Sequence, residues 1–241
     1  MPGMKIRTLL AVLVLGTTAL GQPAGPAGAP GRAEGYFLVL LRRAPDWKPL
    51  PPAEQDRLQA SHMENMRRMA DAGTMVAAGP MADNPTTISG IFVFRAASLA
   101  EAQRIADQDP TIIARRNLAE VYHWRGPPGI GDAYFQWKKA HPAEDDVMST
   151  HAFCLISRVP SASTAADAAE NSAFIDSLRA RGLLAAAGSI EGDPVFIELV
   201  IFKTASVKEA KQALGDDGPI RSGRLAVEWH HWWTADLVLP W

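Results

Sequence analysis

The sequence predicts an α+β protein in which two copies of one β-α-β-β-α-β unit pack together as an intramolecular pseudo-dimer. Two observations lead to this prediction: an internal repeat, and the same order of strand and helix patterns in each copy. The segment Gly73–Gly79 recurs 109 residues later as Gly182–Gly188. Further matches follow at an offset of 108, including Phe94 with Phe202, Asp109 with Asp217, and Trp124 with Trp232. Because the offset changes only in loops, we infer two copies, at residues 35–125 and 150–233.

The first copy begins with an apolar run that is typical of a strand. Residues 36–41 are rich in side chains that favour β-structure. Residues 53–72 then place apolar side chains and His62 on one helical face, and Gly73 follows where helices commonly end. These patterns predict a strand followed by a long helix.

Two further strands, a second helix and a last strand complete the unit. Residues 74–79 and 88–94 predict a hairpin joined by a turn that contains Asp83. The sequence Ser-Leu-Ala-Glu at 98–101 is a capping-box pattern that opens a helix, and residues 118–124 predict the final strand. This order is that of the ferredoxin-like unit, in which both helices cover one face of an antiparallel sheet.

The final strand of each copy carries large side chains on both faces. Val121 and His123 alternate with Tyr122 and Trp124, and residues 229–233 repeat the pattern in the second copy. Because the two helices cover only one sheet face, the other face must be buried elsewhere. We therefore expect the open faces of the two sheets to pack together as one α+β barrel.

The first 21 residues have the pattern of a signal peptide. Lys5 and Arg7 precede a short apolar run, residues 8–20, which ends in small residues and is too short to span a bilayer. The sequence predicts cleavage before Gln22 and a soluble exported protein, periplasmic or secreted, with no membrane contact after cleavage. An uncleaved membrane anchor is the alternative.

Three further segments lie outside the two copies. Residues 22–34 are a Pro-, Gly- and Ala-rich tether that we expect to be disordered. The linker at residues 126–149 contains aromatic side chains between 134 and 137, which predicts a packed brace. Residues 234–241 form a tail.

The charge and cysteine content exclude several classes of protein. The 24 basic and 26 acidic residues give a formal net charge of −2, without the clustered basic face that nucleic-acid binding requires. The single cysteine, Cys154, cannot form an internal disulfide, and we expect it to be a small buried hydrophobe. We expect a small-molecule ligand, no cofactor and no metal, in a monomeric pseudo-dimer or a homodimer.

The first copy resembles the YCII-related family, whose members have a ferredoxin-like fold and pair into an α+β barrel. The resemblance rests on the opening strand and, in order, on His62, Gly73, Gly79, Pro80, Asp83, Gly90, Asp109, Pro110, Glu120 and Trp124. It implies a site formed by the histidine of the first helix and the aspartate of the turn after the second strand, facing the cleft between paired units. Family members have been linked to acid/base reactions on ring substrates, including dehydrochlorination of chlorinated hydroxyquinols.

His62 and Asp83 are therefore the predicted catalytic pair. An aspartate that accepts a hydrogen bond from one ring nitrogen fixes the histidine tautomer, and the other nitrogen is then a general base. This predicts cofactor-free proton transfer, isomerisation or elimination on a small substrate, with aromatic compounds as one candidate class. Asp109 is a third candidate, and the alternative for it is a helix stop made by Pro110. The alternatives are a structural histidine with an ordinary turn aspartate, and a non-catalytic module that binds a small ligand or a protein.

The second copy lacks the predicted pair. Asn171 stands at the position of His62, and Gly192 stands at the position of Asp83. The sequence therefore predicts one site per chain, in the first copy, with its far wall supplied by the second.

Other charged and histidine side chains receive structural interpretations. Glu120, on a buried strand face, is expected to pair with an arginine such as Arg42. Adjacent strand residues point to opposite faces, so His230 and His231 are not expected to bind one metal ion.

Overall fold

Eight strands and seven helices form the part of the chain that the computed structural model describes, residues 35–83 and 87–240. The predicted signal peptide and tether lie outside these residues, so their assignment stays a prediction. Within the described ranges, every helix is too short or too polar to cross a membrane.

Both copies contain the predicted order of elements, with one short extra helix before the last strand. In the first copy these are β1 (Tyr36–Arg43), α1 (Pro52–Asp71), β2 (Met75–Pro80), β3 (Ile88–Phe94), α2 (Leu99–Ala106), α3 (Pro110–Ile113) and β4 (Asn117–Trp124). A linker helix, α4 (Asp132–Ala140), leads to the second copy. This copy has β5 (Met148–Arg158), α5 (Ala165–Ala180), β6 (Leu184–Glu191), β7 (Phe196–Phe202), α6 (Val207–Leu214), α7 (Gly218–Arg221) and β8 (Leu225–Ala235).

Local sequence signals account for where the helices begin and end. Gly73 has a φ of +70°, a left-handed conformation that glycine adopts without a Cβ clash, and α1 ends just before it. The Ser98 hydroxyl accepts a hydrogen bond from the Glu101 amide at 3.1 Å and caps α2, as predicted. Asp109 and Asp217 cap α3 and α7 in the same way.

The strands form one antiparallel sheet in the order β2-β3-β1-β4-β6-β7-β5-β8. The order within the first copy, β2-β3-β1-β4, is repeated within the second as β6-β7-β5-β8. A bridge between Met81 and Trp232 joins the two outer strands and closes the sheet into a barrel. The predicted α+β fold, with two ferredoxin-like units packed as a pseudo-dimer, is confirmed.

Two matching seams join the copies, and each has a tryptophan opposite a glycine. At the seam between β4 and β6, the Trp124 indole N–H donates to the Gly188 carbonyl at 3.0 Å. At the seam between β2 and β8, the Trp232 indole donates to the Gly79 carbonyl at 3.3 Å. These four residues belong to the sequence repeat. The residues shared by the two copies therefore include those that form the contacts between the copies.

The barrel interior is an apolar core shared by both copies. Its fully buried large side chains include Leu38, Leu40, Trp124, Phe153, Leu155 and Trp232. Each copy also has its own apolar cluster, which lies between its half of the sheet and its helices. In the linker, Ile130 is fully buried and Tyr134 and Phe135 pack against the shared core, so the linker braces the barrel as expected.

Candidate functional site

A cavity of about 440 Å³ opens beside the first copy, along strand β2. Helix α1 contributes His62 and a row of methionines, and β2 and β3 form the floor. The linker and the end of the second copy supply other walls, through Phe135, Trp233 and Val238 among others. The cavity therefore combines a largely apolar lining with one histidine, and part of its wall comes from the second copy.

Asp109 is the partner of His62. The imidazole Nδ1 lies 2.8 Å from Oδ2 and 3.0 Å from Oδ1 of this carboxylate. Asp109 is fully buried at the start of α3, whereas the His62 side chain is 13% exposed and lines the cavity. Nδ1 donates to the aspartate, which leaves Nε2 as the ring nitrogen for a ligand.

Four hydrogen-bond donors hold the buried Asp109 carboxylate as a charged group. Besides His62, the donors are the Asn65 amide at 3.0 Å, and the Thr111 backbone N–H at 2.9 Å and hydroxyl at 2.6 Å. Burial, the largest effect, raises the pKa of Asp109, but the hydrogen bonds from His62 and Thr111 outweigh it and leave the pKa below its usual value. The aspartate is therefore ionised at neutral pH.

Further polar side chains hold Thr111, and through it the Asp109 carboxylate, in position. The Asn117 amide donates to the Thr111 hydroxyl at 3.0 Å, and the Ser89 hydroxyl lies 2.9 Å from Oδ1 of Asn117. Since the Thr111 hydroxyl donates to Asp109, it can accept from Asn117 at the same time. The chain of hydrogen bonds connects β3, β4 and α3 to the histidine and restricts its orientation.

Asp83 does not orient His62, and this prediction is wrong. Strand β2 continues beyond Pro80 along β8, so Asp83 lies at the seam with the second copy. Its carboxylate accepts from the His231 backbone N–H at 3.0 Å, and lies 3.0 Å from His230 Nδ1 and 2.7 Å from His231 Nδ1. Burial raises the pKa of Asp83, but the bonds from His231 and His230 outweigh it and lower the pKa.

A network of charged side chains extends from this seam to β1 and β4. His230 Nε2 lies 3.2 Å from Glu228, which also accepts from the Thr87 hydroxyl at 2.8 Å. Arg42 lies 3.7 Å from Glu228 and donates to Glu120 at 2.7 Å, as expected for the latter pair. The contact with His230, against the opposing effect of burial, lowers the pKa of Glu228 to about 2.

Acid should weaken this seam through Glu228. A carboxylate whose pKa falls on folding stabilises the protein fully above its unfolded pKa, and this contribution is lost as the pH falls from about 4.5 towards 2. We expect the wild type to have a higher Tm than Glu228→Gln at pH 6, and the difference to shrink by pH 3. The exposed Glu64→Gln is the control. A Tm difference that stays constant over this range would contradict the role of Glu228.

The second copy keeps the buried aspartate but not the histidine. Asn171 donates to Asp217 at 3.0 Å, in the place where His62 meets Asp109. Glu198 stands at the repeat position of Gly90, which lines the cavity of the first copy. The Glu198 residue is 5% exposed, and burial raises the pKa of its carboxyl to about 7. These differences support the prediction of one site per chain.

Four polar residues around His62 and Asp109 were missed by the sequence reasoning: Asn65, Ser89, Thr111 and Asn117. Asn65 lies one helical turn after His62, and Thr111 lies two residues after Asp109, so local spacing could have suggested both. Ser89 and Asn117 carry no such signal. Among the described residues, no group of three or more His, Cys, Asp or Glu side chains could hold a metal ion.

The first copy matches the model of one known protein family. The model of the YCII-related domain matches residues 36–125, which include α1, the hairpin and β4. No curated protein sequence matches the chain.

Solved structures share the fold but little sequence. A variant of chlorite dismutase from Candidatus Nitrospira defluvii is similar with a TM-score of 0.51 at 14% identity, over 86% of this chain and 93% of that one. A second protein, provisionally described as a chlorite dismutase, gives a TM-score of 0.50 at 9% identity, over 83% and 93% of the two chains. At this identity the likeness establishes the pseudo-dimeric fold alone.

Proposed function

We propose that this protein, whose residues 36–125 match the model of the YCII-related domain, is an enzyme that transfers a proton on a small organic substrate. His62 is the acid/base residue, and Asp109 is the residue that orients it. The observation that carries the proposal is the hydrogen bond between these two side chains at the wall of a cavity. It retains the histidine and aspartate chemistry expected from the sequence, with Asp109 in place of Asp83.

The arrangement suits a general base. Asp109 holds the proton on Nδ1, so Nε2 carries the lone pair that removes a proton from a phenol or from a carbon next to a carbonyl. The imidazolium that forms is stabilised by the charge of Asp109. Return of the proton to another atom of the substrate gives isomerisation, and its delivery to a leaving group gives elimination.

The cavity favours a small substrate with an apolar body. Its volume of about 440 Å³ falls within the range of small-molecule sites, and apolar side chains, several methionines and aromatic residues among them, form most of the wall. Such walls keep water from the histidine and strengthen its electrostatic interaction with Asp109. A positioned acid/base group contributes roughly a hundredfold to ten-thousandfold in rate.

Exchange of substrate protons with D2O tests the proposal. Hydroxylated aromatics and small keto acids that raise the Tm would be incubated with the protein in D2O. Deuterium incorporation at their carbon atoms would be followed by NMR, because O–H protons exchange without a catalyst. We expect catalysed exchange in at least one compound, and His62→Gln should lower the rate at least about a hundredfold. His123→Gln is the matched control, because His123 also bonds a carboxylate, Glu191 at 2.7 Å, but at the seam.

Two outcomes would contradict the enzyme. Ligands that raise the Tm with no exchange in any of them would favour the non-catalytic binding module. Equal loss of exchange in the His62 and His123 variants would show that the effect comes from the fold, since His123 does not line the cavity.

A further inference from the structure

Two arginines line the cavity that holds His62. Arg116 lies just before β4, at the end of the cavity that also contains Asn117 and Thr111. Arg67 is on α1, five residues after the histidine, and is exposed at the surface. Both bring positive charge to a lining that is mostly apolar and that also includes the carboxylate of Asp146.

The carboxylates near this cavity are already engaged. Asp109 accepts from His62, Asn65 and Thr111. Asp146, at the linker end, accepts from Tyr134 and Lys138, each at 3.0 Å. Neither arginine forms an ion pair with a carboxylate of a described residue. Among the described residues, both guanidinium groups are therefore left without a carboxylate partner, and the carboxylate that lines the cavity, Asp146, is bonded to Tyr134 and Lys138 instead.

Arg116 is held in place without being neutralised. Its guanidinium donates to the side-chain oxygen of Gln59 at 3.3 Å, and Gln59 lies three residues before His62 on the same helix. Burial first, and the nearby charge of Arg43 second, lower the pKa of Arg116. An anion bound beside the guanidinium would oppose both effects.

We propose that Arg116 binds the anionic group of the ligand in this cavity, so that the substrate is a small organic anion with an apolar body. The inference rests on the proposed function of the cavity and specifies its substrate class. Carboxylates and phenolates share the required chemistry, because both present oxygen acceptors to a planar guanidinium. With the anionic group at Arg116, its apolar body lies along the methionines of α1, and a neighbouring C–H or O–H faces His62. Arg116 also stabilises the negative charge that develops when the proton leaves.

Matched anionic and neutral probes test this proposal in the full chain. Binding of benzoate, 4-nitrophenolate and the neutral benzamide would be measured by calorimetric titration. We expect wild type to bind at least one anion at least tenfold more tightly than benzamide. Arg116→Gln, which removes the charge, should abolish that preference, and Arg116→Lys should restore part of it. Arg57→Gln removes an exposed charge of α1 that does not line the cavity, and should leave binding unchanged.

The outcomes separate this inference from the proposed function. Equal binding of anions and benzamide by wild type, or an anion preference that survives in Arg116→Gln, would overturn the role of Arg116. His62→Gln should still bind the anion while exchange in D2O is lost. If anion binding depends on Arg116 and wild type catalyses no exchange, the anion site stands and the enzyme proposal fails. If wild type catalyses exchange only in neutral compounds, the enzyme stands and the anion site fails.

Discussion

Replacing Gly188 with alanine should lower the free energy of unfolding by at least about 3 kcal/mol, more than an ordinary overpacking substitution. The added Cβ would overlap the backbone carbonyl of Arg125 in the first copy. This carbonyl belongs to the chain that leaves β4, so relief requires the two sheets to separate. Separation would also break the bond from the Trp124 indole to the Gly188 carbonyl. Urea unfolding followed by tryptophan fluorescence measures the loss.

Gly182→Ala is the matched control for Gly188→Ala. Gly182 belongs to the same repeated segment, but a Cβ there meets no atom within 4 Å. Its φ of +73° strains an alanine by only about 1–2 kcal/mol. If the two variants lose the same stability, close approach at the seam is not what requires glycine at position 188.

Removal of the Asp109 carboxylate should have the second large effect, on both stability and the site. Asp109→Ala leaves the buried donors of Asn65 and Thr111 without their acceptor and removes the cap of α3. Loss of one partner from a buried, hydrogen-bonded charge costs about 3–5 kcal/mol. We expect the variant to lose catalysed exchange in D2O as well, because His62 is no longer oriented. Urea unfolding and the exchange assay check the two effects separately.

The second copy provides the control for Asp109. Asp217 is also fully buried, caps α7 and accepts from Asn171. Asp217→Ala should therefore lower stability by a similar amount and leave exchange and benzoate binding intact, measured under conditions where both variants are folded. Equal loss of exchange in the two variants would show that Asp109 acts through the fold alone.

The architecture was predictable because its signals are local or repeated. Alternation in Val121–Trp124 predicted a strand buried on both faces, and the same pattern in β8 predicted that the two sheets share a core. The repeated Gly79 and Gly188 gave the alignment of the copies. The carbonyl of each glycine accepts a hydrogen bond from a tryptophan of the other copy. The repeated residues therefore mark the contacts between the copies as well as the strands and helices.

The partner of His62 was not predictable in the same way. Asp83 and Asp109 are both distant from His62 in sequence, at separations of 21 and 47 residues. Because α3 begins next to α1, packing brings Asp109 into hydrogen-bond distance of His62. Asp83 instead lies next to β8, where it bonds His231. A helix stop at Pro110 and a site aspartate proved compatible, since Asp109 caps α3 with one oxygen and bonds His62 with both.

By itself the sequence determined a two-copy α+β protein with an acid/base candidate, His62, in the first copy only. These features depend on periodicity, turn residues and repetition, which act over short stretches of chain. Only the tertiary structure decided that Asp109 is the carboxylate bonded to His62 and that Asp83 bonds β8 at the seam. It also decided that Arg116 lines the same cavity as His62. Such pairings depend on which hydrogen-bond donors lie next to each buried carboxylate after the sheets have packed. Residues distant in sequence carry no local signal that they will be neighbours.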